Sequence, residues 1–138
     1  RYVREIEKLA QNLYIAPSTV AQHAALAAFQ PATTAILEAR RHEFSLRRDV
    51  LLLGLRELGF KIAAEPRGAF YVYADSSALA ADSDELARQL LTEAGVAATP
   101  GLDFGNNAPQ AHMRFAYTIE RSRIEEGLAR MAAVLGSG

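Results

Sequence analysis

The run "AHMRFAYT", Ala111–Thr118, decides how the second half of the chain is read. Its side chains alternate as a half-buried strand requires: Met113, Phe115 and Tyr117 go to one face, the core side, while His112, Arg114 and Ala116 go to the other. Arg114 therefore stands in the middle of an apolar strand on the face away from the core. A guanidinium so placed offers a planar fork of donors that matches a carboxylate through two parallel bonds. Alternation alone leaves two readings open: an arginine that grips a ligand, or one paired with a local acid such as Asp103.

Working outward, "IERSRIEEGLARMAAVL" follows the strand and reads as a helix whose buried face carries Ile124, Leu128, Met131 and Leu135. Upstream lies "GVAATPGLDFG", Gly95–Gly105, with three glycines and a proline in eleven residues. "VAAT" reads as a short strand; Pro100–Gly101 makes a tight turn, and Gly105 permits another. Before it, "SDELARQLLTEAG" is a helix with Ser83 as N-cap and Gly95 as C-cap, and Asp84 and Glu85 suit its N-terminal dipole. "FKIAAEPRGAFYVYADSS" reads as a strand, a turn at Pro66–Gly68 and a second strand, with Phe70 facing the core.

The first 58 residues are helical in pattern. Val3, Ile6, Leu9 and Leu13 mark an amphipathic helix; Pro17 interrupts it, and Ser18 or Thr19 caps a second, alanine-rich helix. Leu37, Phe44, Leu51 and Leu58 then recur every seven residues, which predicts one helix from Thr34 to Leu58, about 37 Å long, with Gly59 as its cap. Its first half is charged and its second half apolar, as in a helix that leaves one domain and enters another. The expected class is α+β, a two-layer arrangement: a small, mostly antiparallel sheet covered by helices on one face, with the long helix as spine.

Composition narrows the function classes. Half of the 138 residues are hydrophobic, 22% are charged and the net charge is −1, which suits a packed core and supplies no basic field for nucleic acid or acidic lipid. No apolar run reaches the roughly 18 to 20 residues that span a bilayer. There is no cysteine, and His23, His42 and His112 show no metal-ligand spacing and read as incidental. Arg1 stands where a start methionine would, and a helical pattern begins at once, so the expectation is a fragment of a longer protein.

"PRGAFYVYAD", "LLTEAGVAATPGLDFG" and "MRFAYT", in this order and followed by a helix, resemble the C-terminal part of class I pyridoxal-phosphate aminotransferases, the aspartate aminotransferase superfamily. "APSTVAQHAALAAF" resembles the segment that precedes the long interdomain helix of that family, so the likeness covers nearly the whole chain. It implies that residues 1–33 are the end of the large cofactor-binding domain and 34–138 the small domain. It implies that Arg114 binds the α-carboxylate of an amino acid or 2-oxo acid substrate. Phe104, with Leu102 nearby, then either covers the substrate from a closing loop or tucks into the core. "NLYIAPST" resembles the segment that reaches the neighbouring subunit's site in family dimers, which makes Asn12, Tyr14 and Ser18 candidate contacts.

The family's chemistry rests on a lysine that forms a Schiff base with pyridoxal 5'-phosphate. Only Lys8 and Lys61 occur here, and neither has the serine-rich approach that marks that lysine. The resemblance thus implies an amino-transferring, cytoplasmic homodimer as the parent, with no nucleic-acid or membrane partner, and a chain that is inactive alone. Apolar surface left bare on the first three helices is expected to drive self-association of the isolated chain. A lyase or synthase of the same superfamily is the alternative enzyme. The effector-sensing domain of an aminotransferase-like transcription regulator is the alternative from another class.

Overall fold

The protein is described by a computed structural model covering residues 2–136. Its chain divides at Arg40/Arg41 into two compact units, and the long helix begins in the first and ends in the second.

The first unit contains α1 (Val3–Leu13), α2 (Thr19–Ala28) and the start of α3 (Pro31–Glu57). Ser18 has extended backbone, and its hydroxyl accepts the Ala21 N–H at 3.3 Å, so it caps α2 as the sequence suggests. The long helix starts three residues earlier than its heptads indicate. Pro31 occupies its first turn, where a missing N–H costs nothing and a fixed φ helps. No residue of α1 or α2 is buried; Val3, Ile6, Leu9 and Leu13 lie exposed along one side of α1.

The second unit carries the sheet. Strands β1 (Tyr71–Asp75), β2 (Thr99–Pro100) and β3 (His112–Ala116) stand in the order β1-β3-β2, and both pairings are antiparallel. Register sets Tyr73 and Thr99 opposite Arg114 from the two sides, with Asp75 opposite His112 and Tyr71 opposite Ala116. Val72, Ala74, Met113 and Phe115 share the inner face and are buried with Leu51 and Leu55 of α3, Leu86 and Leu90 of α4 (Ser83–Glu93), and Ile124 and Met131 of α5 (Arg121–Leu135). Each fully buried leucine in this set contributes roughly 1.5–3 kcal/mol from apolar burial. Helices thus cover one face, and the face bearing Tyr71, Tyr73 and Arg114 stays partly open.

Helix ends follow local chemistry. Gly59, at φ +94°, donates to the Arg56 carbonyl while Phe60 donates to Leu55, both at 3.0 Å, which closes α3 with a left-handed glycine. Gly95, at φ +64°, follows α4 as expected.

Three details differ from the expected pattern. Asp82, not Ser83, caps α4: its carboxylate accepts the Asp84 N–H at 2.8 Å. Ser83 is buried inside the first turn and donates to the Pro109 carbonyl at 3.2 Å. The run from Phe60 to Ala64 forms no strand; Lys61 makes an isolated bridge to Asp75, and the chain beyond it lies outside the sheet. Phe70 is not a core residue. It is 46% exposed and meets Tyr71 edge-on, because Ala69 turns through φ +61° just before it and rotates it off the strand alternation. The inward role falls to Tyr117, which is buried and donates its hydroxyl to the Gly68 carbonyl at 3.1 Å. Burial raises its phenol above the ordinary value.

Candidate substrate-carboxylate site

Arg114 projects from the middle strand on the face opposite the core, and its neighbours come from all three strands and one loop. Nη2 donates to the Thr99 hydroxyl at a long 3.4 Å. The guanidinium carbon lies 4.6 Å from the centre of the Phe104 ring and 5.5 Å from that of Tyr71. Two aromatic rings therefore border the cation, as suits a weakly hydrated planar group. The Nε donor is shut from water and has no hydrogen-bond partner. A buried donor left unpaired costs free energy and calls for an explanation in the function of the site.

The local ion pair that alternation left open does not form. Asp103 is exposed, and among the described residues every salt bridge falls elsewhere. Among the described residues no carboxylate forms a salt bridge with Arg114.

Phe104 ends a 3-10 turn, Gly101–Phe104, and is 44% exposed, so it does not tuck into the core. Leu102, on the same turn, is exposed as well. The turn is held close by Gly101, where a Cβ would lie 2.3 Å from the Pro109 carbonyl oxygen; only glycine fits. Gly105, at φ +135°, then releases the chain in a direction closed to other residues.

Four neighbours were not predicted as part of the site: Tyr71, Tyr73, Thr99 and His112. Period-two alternation does place Tyr71 and Tyr73 together on one side of their strand, opposite Val72 and Ala74. What it lacks is the register that brings them against Arg114. His112, read as incidental, stacks on Tyr73 with centroids 5.0 Å apart and planes 4° from parallel. Its Nδ1 lies 2.9 Å from the Ala108 carbonyl, which requires a proton on that nitrogen. Across the sheet from it, hydrogen bonds from Ser77 hold Asp75 below the ordinary carboxylate value.

The family model for aminotransferases of class I and II matches residues 1–131. The chain belongs to this aminotransferase family. It is 40% identical over 136 residues to the aspartate/prephenate aminotransferase of Thermus thermophilus, covering 97% of this chain and 34% of that protein. It is 37% identical over 134 residues to the valine–pyruvate aminotransferase of Mycobacterium tuberculosis, with the same coverage. An aminotransferase structure from Mycobacterium tuberculosis superposes with a TM-score of 0.88 at 36% identity, over 98% of this chain and 35% of that one. The aromatic aminotransferase of Pyrococcus horikoshii gives 0.81 at 29% identity, over 94% and 35%. The chain spans about a third of the length of the curated relatives it matches.

The remaining candidates of this aminotransferase chain lie in the first unit. Asn12 spends its amide on the Lys8 carbonyl at 2.6 Å, Ser18 spends its hydroxyl on the α2 cap, and Tyr14 is exposed. The family implies pyridoxal phosphate, and the two lysines of the chain are Lys8 and Lys61. Lys8 is exposed and pairs with Glu5 at 3.6 Å; Lys61 is exposed, with its backbone bonded to Asp75 at 2.9 and 2.8 Å. Among the described residues no cluster of histidine and acidic side chains could hold a metal, and no helix is long and apolar enough to cross a membrane.

Proposed function

We propose that this chain is the substrate-carboxylate grip of a pyridoxal-phosphate-dependent aminotransferase, which moves an amino group between an amino acid and a 2-oxo acid. Residues 1–33 are assigned to the end of the cofactor-holding domain and 34–138 to the small domain. The cofactor and its lysine are assigned to the part of the protein outside this chain, so the chain alone is inactive. The names of relatives such as the aspartate/prephenate and valine–pyruvate aminotransferases favour amino transfer over lyase or synthase chemistry and over a regulator's sensing domain. The resemblance further supports a cytoplasmic homodimer, with Asn12, Tyr14 and Ser18 near the neighbouring subunit's site.

One observation carries the reading: Arg114 is a charged fork with no carboxylate partner among the described residues, flanked by two aromatic rings and retaining a buried, unpaired Nε. Both substrates of amino transfer carry a carboxylate beside the reacting carbon. A guanidinium that donates to it through two parallel bonds fixes both the position and the orientation of that carbon. Phe104, exposed at the end of a turn bounded by Gly101 and Gly105, is placed to lie against bound substrate and keep water away.

The test is kinetic, on the full-length protein loaded with pyridoxal phosphate. Arg114→Ala is expected to lower kcat/KM for the amino acid at least about thirtyfold, the usual scale for truncating one partner of a buried charge pair. Cofactor loading, followed by its visible absorbance, is expected to stay as in the wild type. An unchanged kcat/KM would overturn the reading.

A further inference from the structure

Beyond the guanidinium itself, the open face of the sheet holds a continuous series of ring contacts. His112 stacks on Tyr73; Tyr73 meets Phe104 edge-on at 6.1 Å and 81°; Phe104 lies under the Arg114 guanidinium at 4.6 Å. Tyr71 borders the same cation at 5.5 Å. The members differ in how firmly each is held. Tyr73 comes from β1 and pairs directly with Arg114 across the sheet. Its ring is backed by His112, which is itself tied to the Ala108 carbonyl. Its hydroxyl fills the space a side chain at position 101 would need: a Cβ built on Gly101 falls 2.7 Å from that oxygen. Phe104, by contrast, sits on an exposed turn of four residues that ends at a glycine in the left-handed region.

We infer that Tyr73 is a positioning residue for the carboxylate grip: it is the fixed post that sets Phe104 on the face of the Arg114 guanidinium. This rests on the reading of Arg114 given above. An arginine side chain has several rotatable bonds, and among the described residues its only side-chain hydrogen bond is the long one to Thr99. Stacking is therefore what holds the fork in one orientation before substrate arrives. Phe104 supplies the stacking surface, and Tyr73 determines where that surface lies. The gain is pre-organisation, since a fork already oriented loses less freedom on binding. Tyr73 needs only its ring for this role, since it is the ring that meets Phe104.

Five variants of the full-length, cofactor-loaded protein test the inference: Tyr73→Leu, Tyr73→Phe, Phe104→Leu, the double variant Tyr73→Leu/Phe104→Leu, and His112→Leu. Tyr73→Leu is expected to raise KM for the amino acid about three- to tenfold, the scale of an aromatic pair or a cation–ring contact, while kcat changes less than about twofold. Tyr73→Phe is expected to match the wild type. If Tyr73 acts through Phe104, the double variant shows no larger KM than Phe104→Leu alone. His112→Leu, which leaves the Tyr73 ring in place but removes its backing, is expected to raise KM about two- to threefold and guards against a Tyr73→Leu protein that fails to fold. Additive effects of Tyr73→Leu and Phe104→Leu, or a KM unmoved by Tyr73→Leu and His112→Leu alike, would overturn the inference. Arg114→Ala separates the two levels. If it leaves KM unchanged, the carboxylate grip itself fails; if it raises KM while the Tyr73 and His112 variants are silent, only the positioning role falls.

Discussion

The two units of this chain use similar proportions of apolar residues to opposite ends. In the second, Leu51, Leu55, Val72, Leu86, Leu90, Met113 and Met131 close on one another and leave almost nothing to water. In the first, Val3, Ile6, Leu9 and Leu13 repeat just as regularly along α1, yet all four are exposed. Periodicity therefore reports that a helix has an apolar side; it does not report that the chain itself supplies what covers that side. The second unit contains its own core. The first presents a surface whose cover is not among the described residues.

The sharpest way to break this contrast is a pair of matched truncations. Leu55→Ala removes a side chain with no exposure at all and is expected to cost about 2–5 kcal/mol in urea denaturation of the 138-residue chain. Leu9→Ala, in the first unit, is expected to stay within about 0.5 kcal/mol. Equal losses would mean that α1 has a hidden partner and that the contrast is false.

A somewhat smaller effect is expected at Gly101. Adding a methyl there drives it against the Pro109 and His112 carbonyls and the Tyr73 hydroxyl, two of them fixed backbone. Gly101→Ala is expected to destabilise the second unit by about 1–3 kcal/mol, read from its denaturation midpoint. It is also expected to displace the Phe104 turn. A variant as stable as the wild type would show that the turn is looser than its contacts indicate.

Smallest is an acid effect confined to the second unit. Hydrogen bonds from Ser77, and less strongly the charges of His112 and Lys61, hold Asp75 below its ordinary value of 3.8. A depressed carboxylate stabilises the fold above its unfolded value and loses that contribution as pH falls through its lower folded value. Stability is thus expected to decline below about pH 4, and Asp75→Asn is expected to flatten that decline. A profile identical in the variant would remove Asp75 as the source.

Much of this architecture was legible in the residues. The alternation of Met113, Phe115 and Tyr117 and the three-and-four spacing of Ile124, Leu128, Met131 and Leu135 are strong single-element signals, and both elements formed as read. Arg114 stood out for the same reason, since a charge inside such a strand must face away from the core. The misreadings arose where position depends on other segments. Lys61 looks like the start of a strand, but its bridge to Asp75 is isolated and the residues that follow join no strand, while Ala69 has positive φ just before Phe70. Ser83 and Asp82 are both good caps; Pro109, far along the chain, claims the serine. The aromatic partners of Arg114 were invisible singly because they depend on the pairing of Tyr73 and Thr99 with one residue of β3.

The most direct measurement compares an amino acid with its own α-methyl ester, which keeps the amine and side chain but has no carboxylate charge. In the full-length, cofactor-loaded protein, kcat/KM is measured for both compounds with the wild type and with Arg114→Ala. The wild type is expected to prefer the acid by about thirtyfold or more, and Arg114→Ala to bring the two compounds within a few-fold of each other. An acid-to-ester preference that survives intact in Arg114→Ala would contradict the account, because some other group would then be gripping the carboxylate.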